Sequence, residues 1–351
     1  MEPFDYGLLD GFLDYDRNDT EIPPPVFLEP GLLPQQVVSL VCYGAVLLLG
    51  VPGNALVVWV TGFCMPRSVT CLWFLNLALA DLLCCLSLPL LMVPLAHDDH
   101  WPFGPLACKL VKPAIYVMML CSVLQLVLIS LDRWMLVSRP VWCQNHRRPR
   151  GAALLCAAVW LLALLGSVPH FVFTMEISAG TKKKECLLNY SSSQQKILVT
   201  CYNFLLGFLL PLLAILGSHC RVYQKTESGG SRGRHRSRRT LRIIVAVVLS
   251  FFLCWFPLHL VNLASLGGAS ARGPALYMAH VLALCLAYFN SCLNPLLYVC
   301  LGRGFKDSVH RSLRNLLHFI NEETTVKHSV NNNDDINETK TSSLGREIHR
   351  L

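Results

Sequence analysis

Charge is scarce in this chain. Only 15% of its 351 residues are Asp, Glu, Lys or Arg, where soluble domains carry about 25%. A surface so short of charge cannot face water all round, which excludes a water-soluble enzyme, a disordered chain and a small disulfide scaffold together. Catalytic sets are missing as well. There is no paired carboxylate inside the apolar stretches, no zinc-spaced His/Cys set and no Ser-His-Asp constellation. No catalytic residue and no enzyme are therefore expected. The chain shows no internal repeat, the mark of many transporters. It also lacks a basic start followed by an apolar core, so no cleavable signal peptide is expected.

What fills the chain is apolar: 53% of it is hydrophobic. Seven apolar stretches run over 35–62, 69–96, 110–138, 151–175, 197–222, 240–266 and 274–301. Each exceeds the ~20 residues a helix needs to cross a bilayer core. The net charge of +8 would invite nucleic acid were it not for its placement. Residues 1–34 hold eight acids against Arg17 alone. The bases gather in two gaps, Arg139, Arg147, Arg148 and Arg150 in one, Lys225 and six arginines from 232 to 242 in the other. The positive-inside rule makes both gaps cytoplasmic, which sets the N-terminus outside and leaves membrane lipid, not nucleic acid, as the surrounding partner.

The expected fold class is thus an all-α membrane protein. An acidic outer arm covers 1–34, a seven-transmembrane helix bundle 35–301, an amphipathic eighth helix on the inner leaflet 302–320, and a disordered cytoplasmic tail 321–351. Asn18 and Asn189 stand in glycosylation sequons on the outer side. Of sixteen cysteines, only Cys108 and Cys186 fall clearly in the oxidising compartment, and a bridge between them would pin the second outer loop over the mouth of the bundle.

Polar residues within the spans need partners. A mid-membrane carboxylate costs at least about 2.5–3.5 kcal/mol. Asp81 therefore calls for Asn54, Ser122, Asn290 and Asn294, which recur at similar depth. Together they enclose either a sodium ion or ordered water, or form a plain hydrogen-bonded packing cluster. No other cofactor is expected. Pro211, Pro257 and Pro295 each remove a backbone hydrogen bond in mid-span and permit a bend.

The landmarks Gly53-Asn54, Leu77-Ala78-Leu79-Ala80-Asp81, Trp101, Cys108, Asp132-Arg133, Trp160, Pro211, Cys254-Trp255-Phe256-Pro257 and Asn294-Pro295 with Tyr298 stand in one order along the chain. In this the chain resembles the rhodopsin-like G-protein-coupled receptors over roughly 35–320. Residues 140–147 and 53–60, Ala80–Pro89 and His100–Gly104 are similar to chemoattractant receptors, with the complement component 5a branch ahead of the formyl-peptide branch. The resemblance implies a multi-pass plasma-membrane receptor for an extracellular peptide or protein. It also implies movement around Trp255 and Phe251, and a cytoplasmic cleft floored by Arg133. The implied intracellular partners are an inhibitory-type heterotrimeric G protein, a receptor kinase and arrestin.

By the same resemblance the ligand pocket is lined by Leu91, Ile115, Tyr116, Asn203, Leu258, His280 and Leu284. Relatives of this branch carry charges where Thr174, Asn203 and His280 stand here, so a nearly neutral pocket is expected, open to an altered peptide or a lipid-like ligand. Two inner departures are Trp134, where relatives carry the tyrosine of the Asp-Arg-Tyr motif, and His219, in place of the tyrosine that joins Tyr298 in relatives. His219 makes weakened G-protein coupling, and an arrestin-biased or scavenging receptor, the alternative reading. Tyr6 and Tyr15 lie among acids, the setting for sulfation and for capture of a basic ligand. Lys182, Lys183 and Lys184 are expected to meet an acidic group or the chain's own N-terminus. In the tail, Thr324, Thr325, Ser329, Thr339, Thr341, Ser342 and Ser343 are candidate phosphorylation sites. Each would add about −1.5 to −2 charge to a strip that arrestin can grip.

Overall fold

In lipid no water is available to satisfy a bare backbone, so the apolar stretches close their hydrogen bonds internally as helices. The computed structural model describes residues 33–179, 183–227, 231–267 and 274–301, with Arg314. The outer arm with Tyr6, Tyr15 and Asn18, the expected eighth helix apart from Arg314, and the phosphorylation sites of the tail lie outside these residues.

Helix α1, Pro34–Trp59, starts with a proline at its first turn and runs into a π-helical turn, Val60–Cys64. Helix α2, Val69–Ala96, is capped by Ser68, whose hydroxyl accepts from the Cys71 N–H at 3.2 Å. Helix α3, Gly104–Ser138, is the longest at 35 residues. A short α4, Pro140–His146, forms the second inner loop. Helices α5, Pro149–Gly166, and α6, Val168–Phe173, complete the fourth span. The fifth span is α7, Ser193–Phe204, a π-helical turn over Leu205–Leu209, and α8, Leu210–Glu227. Helices α9, Ser231–Ala264, and α10, Pro274–Leu301, follow, each with a proline inside.

Seven spans result, six of them long apolar helices and the seventh carried by the shorter apolar part of α9, Leu249–Ala264. The bundle is inside-out relative to a soluble one. Leu48, Phe63, Leu154 and Leu198 point outward, as they do where lipid replaces water. The inner faces hold small residues at close crossings. A Cβ on Gly50 would stand 2.5 Å from the Cys85 sulfur, and one on Gly53 would stand 3.2 Å from Pro295. Both glycines sit where α1 meets α2 and α10.

One element was not anticipated. The second outer loop is an antiparallel hairpin, β1 Thr174–Ala179 with β2 Lys183–Leu188, pairing Thr174 with Leu188 and Ala179 with Lys183. The fold is all-α in its spans only. The hairpin is short, and its 174–188 segment lacks the long alternation that marks strands in sequence.

Candidate ligand-binding site

Cys108, near the start of α3, is bonded to Cys186 of β2, with their Cα atoms 5.6 Å apart. Trp101 packs on this bridge and donates its backbone N–H to the Lys184 carbonyl at 2.7 Å. The hairpin is thereby fastened across the outer end of the bundle. Its lysines are engaged locally: Lys183 pairs with Glu185 at 2.6 Å and Lys184 with Glu176 at 2.9 Å. Both thus meet an acidic group, one of the two expected partners: the antiparallel register sets Glu176 diagonal to Lys184, and Lys183 and Glu185 share a face two residues apart on β2. Lys182 lies outside the described residues.

Beneath the hairpin is a cavity of about 300 Å³. Leu91, Ile115, Tyr116, Asn203, Leu258, His280 and Leu284 all line it. Its wall on the α3 and α7 side is internally satisfied. Tyr116 donates to Asn203 Oδ1 at 3.0 Å and stacks on His170 with ring centroids 3.6 Å apart. The opposite wall differs: Trp255 Nε1, His259 Nε2 and His280 Nδ1 are buried without a partner.

The expectation of a nearly neutral pocket fails at the mouth, where Asp99, Lys112 and Glu185 line the cavity. The deep wall is neutral and the rim is not. Sequence position misled here, because the charges come from the first outer loop, the outer end of α3 and the hairpin. Lys112 donates to the Cys186 carbonyl. Asp99 accepts from Gln36 Nε2 of α1 at 3.2 Å. Burial raises the Asp99 carboxyl above its usual range, against the Gln36 hydrogen bond and the nearby Lys183, which lower it. Lys183 is raised in turn: burial acts against its charge, and Glu185 together with Asp98 and Asp99 outweighs it. The signal available in the sequence was the Asp98-Asp99 pair immediately before His100-Trp101.

Below the cavity the floor passes into an aromatic column. The Trp255 and Phe251 ring centroids are 6.4 Å apart, and Phe251 stacks on Phe208 at 5.8 Å. Phe208, in the π-helical turn three residues before Pro211, also meets His259 at 5.3 Å. Sequence reading missed Phe208, since a phenylalanine among leucines carries no signal of its own.

The polar cluster is only partly as expected. Asp81 accepts from Ser122 Oγ at 2.8 Å and from Asn294 Nδ2 at 2.7 Å. The Ser291 hydroxyl lies against it as well. Asn54 is turned to backbone, donating to the carbonyls of Gly50 at 3.0 Å and Ser291 at 2.9 Å, and its Oδ1 is buried without a protein partner. Asn290 is buried but is not among the donors to Asp81. It stands four residues, about 6 Å along the axis, before Asn294 on the same helix face.

At the inner end, Asp132 is held by Arg147, not by Arg133. The guanidinium forks onto both carboxylate oxygens at 2.8 and 2.9 Å and also donates to Thr70 Oγ1 at 2.9 Å. His219 Nε2 lies 3.3 Å from Ser130 Oγ, which donates to the Leu126 carbonyl at 2.8 Å. With that hydroxyl proton committed, His219 is the donor through Nε2, and its Nδ1 is left as a buried acceptor without a partner. The Tyr298 side chain lies outside the described part of α10.

The sequence matches the family model described as 7 transmembrane receptor (rhodopsin family) over residues 53–298. The chain belongs to the rhodopsin family of seven-transmembrane receptors. It is 59% identical over 323 residues to the C5a anaphylatoxin chemotactic receptor 1 of Oncorhynchus mykiss, covering 90% of this chain and 92% of that one. The corresponding receptor of Danio rerio is 57% identical over 324 residues, 91% and 93% of the two chains. The C3a anaphylatoxin chemotactic receptor of Danio rerio is 43% identical over 299 residues, 84% and 81%. The family is one of membrane receptors that couple to G proteins, not of enzymes. The receptor's likeness to the chemoattractant group extends over nine-tenths of its length.

Proposed function

We propose that this receptor answers an anaphylatoxin of the complement component 5a type, with its N-terminus outside the plasma membrane, and signals through an inhibitory-type G protein, a receptor kinase and arrestin. The observation that carries the reading is the hairpin-covered cavity whose floor, Trp255, is in ring contact with the buried Phe251, which in turn stacks on Phe208. A ligand that displaces Trp255 moves α9 about Pro257, and Pro295 gives α10 the same freedom. Arg133, at the inner end of α3, then faces the G protein. The acidic arm with Tyr6 and Tyr15 captures the basic ligand first, and glycans on Asn18 and Asn189 mark the outer face.

The test is a pair of assays in cells expressing the receptor: inhibitory G-protein activation and arrestin recruitment. Each is challenged with complement component 5a, its desarginated form and formyl peptides. Activation by complement component 5a alone supports the reading. Response to formyl peptides alone, or silence at confirmed surface expression, sinks it.

His219 favours a second reading, an arrestin-biased or scavenging receptor. Its donor nitrogen is bonded to Ser130 across to α3, so it offers Tyr298 no hydroxyl bridge. A His219→Tyr variant is expected to raise G-protein activation severalfold with arrestin recruitment unchanged; no gain in the first assay removes the bridge explanation.

We read the Asp81 cluster as a sodium site. Oxygen donors suit this hard cation. The Asp81 carboxylate, the Ser122 hydroxyl and the partnerless Oδ1 of Asn54 supply them. Bound sodium would supply the charge that a buried carboxylate lacks.

A further inference from the structure

Charge at the mouth of the cavity is unevenly answered. Asp99, Glu185 and Lys112 line it. Glu185 is ion-paired with Lys183 at 2.6 Å, and Lys112 donates to the Cys186 carbonyl. Asp99 has only the neutral amide of Gln36, at 3.2 Å, as its hydrogen-bond partner. Lys183 lies near enough to act on Asp99 through space, but its ammonium is ion-paired with Glu185 and makes no ion pair with Asp99. An ionised carboxylate offers about four acceptor positions, and one amide N–H answers one of them.

The position of Asp99 is fixed. Asp98 and Asp99 both take left-handed backbone, at φ 54° and 57°, a conformation Asp tolerates better than most residues. Gln36 is itself anchored, its Oε1 accepting from the Leu33 N–H at 3.0 Å at the start of α1. The carboxylate is therefore presented at the rim instead of sweeping through solvent.

Deeper in the same cavity, His259 and His280 are each only 6% exposed, and each keeps a ring nitrogen without a protein partner. A buried polar atom left unmet in a cavity wall calls for a group from outside the chain. Below the rim these atoms are neutral, and at the rim the carboxylate with no ion pair of its own is Asp99. The ligand that satisfies both carries a cation close to a neutral polar segment.

We propose that Asp99 is the receptor's cation-selecting residue: it takes the guanidinium of a basic residue at the inserting terminus of the ligand, while His259 and His280 meet neutral polar groups of the same segment. This deepens the anaphylatoxin reading and rests on it. Glu185 is a weaker contributor, since Lys183 already holds it. The raised Asp99 carboxyl supports the arrangement, because a cation brought against a partly buried carboxylate restores what burial removed.

The experiment compares two ligands on the full-length receptor in cells: complement component 5a with its terminal arginine, and the same protein with citrulline there, equal in shape and uncharged. The wild-type receptor is expected to respond to the arginine form at about tenfold lower concentration or better, as charge-assisted hydrogen bonds allow. Asp99→Asn, which keeps the left-handed turn, is expected to abolish that preference by weakening the arginine response alone. Asp99→Glu should keep most of it, and Glu185→Gln should change it little. The wild-type preference should shrink as the medium is acidified through the raised range of Asp99, while the Asn variant stays flat.

An Asn variant that retains the full preference overturns the proposal. So does one that loses both responses equally at matched surface expression, since that describes a structural residue. Asp99→Ser provides the same comparison if the Asn variant reaches the surface poorly. A wild-type receptor silent to both ligands overturns the anaphylatoxin reading and this inference together. A responding wild type with charge-indifferent Asp99 overturns the inference alone.

Discussion

A forked guanidinium–carboxylate pair fixes direction as well as distance, and here it joins Asp132 to Arg147 while Arg133 stands beside it in the chain. The pair ties the inner end of α3 to the second inner loop, and through Thr70 to the start of α2. Both side chains are largely covered, at 21% and 9% exposure, so solvent screens the pair only in part. Arg147→Gln is expected to destabilise the receptor by about 1–3 kcal/mol, read as a lower melting midpoint in detergent. Arg147→Lys should not restore it, because an ammonium cannot fork; full rescue by lysine would mean that charge alone matters. Gly50 is a second residue-scale constraint. A methyl there meets the Cys85 sulfur at 2.5 Å and the Cys292 sulfur at 3.2 Å. Gly50→Ala is expected to cost about 1–3 kcal/mol by overpacking, and adding Cys85→Ala should recover part of it. An unaltered melting midpoint in the single variant would show that α1 yields freely.

At the scale of elements, the π-helical turn over Leu205–Leu209 sets the phase of the fifth span. Its extra residue rotates α7 against α8 by about 100° relative to an unbroken helix. That phase lets Asn203 reach Tyr116 above while Phe208 faces Phe251 and His259 below. Deleting Leu206 is expected to straighten the helix and withdraw one of the two contacts. The outcome is loss of agonist response with surface expression retained, and preserved potency would mean the turn has no part in placing Asn203. Neither the turn nor the hairpin was legible in the sequence. A π-helical turn leaves an apolar run apolar, and a six-residue strand pinned by a disulfide owes its form to Cys108 and Trp101, not to its own pattern.

Across the whole molecule, the cavity, the Asp81 cluster and the Asp132–Arg147 tie lie along one bundle, so an ion bound at the cluster would stand between the two ends. If sodium occupies the Asp81 cluster, raising sodium should lower agonist affinity severalfold, and Asp81→Asn should remove the effect. Equal sodium sensitivity in the variant would leave the cluster as packing. By linkage the agonist must weaken sodium binding by the same factor.

Hydropathy and charge placement by themselves determined that the chain crosses the membrane seven times, because backbone in lipid has no other partner than its own helix. The order of landmarks from Gly53-Asn54 to Asn294-Pro295 determined the family, and the placement of Cys108 and Cys186 foretold their bridge. The seven expected pocket residues do line one cavity, since helical period and span order fix which faces turn inward. Only the tertiary structure decided which charges stand at its mouth, which donors reach Asp81, and that Arg147, not Arg133, holds Asp132. These contacts join residues from different helices and loops. Their distances depend on crossing angles, on two π-helical turns and on a pinned hairpin, none of which the pattern of apolar residues encodes.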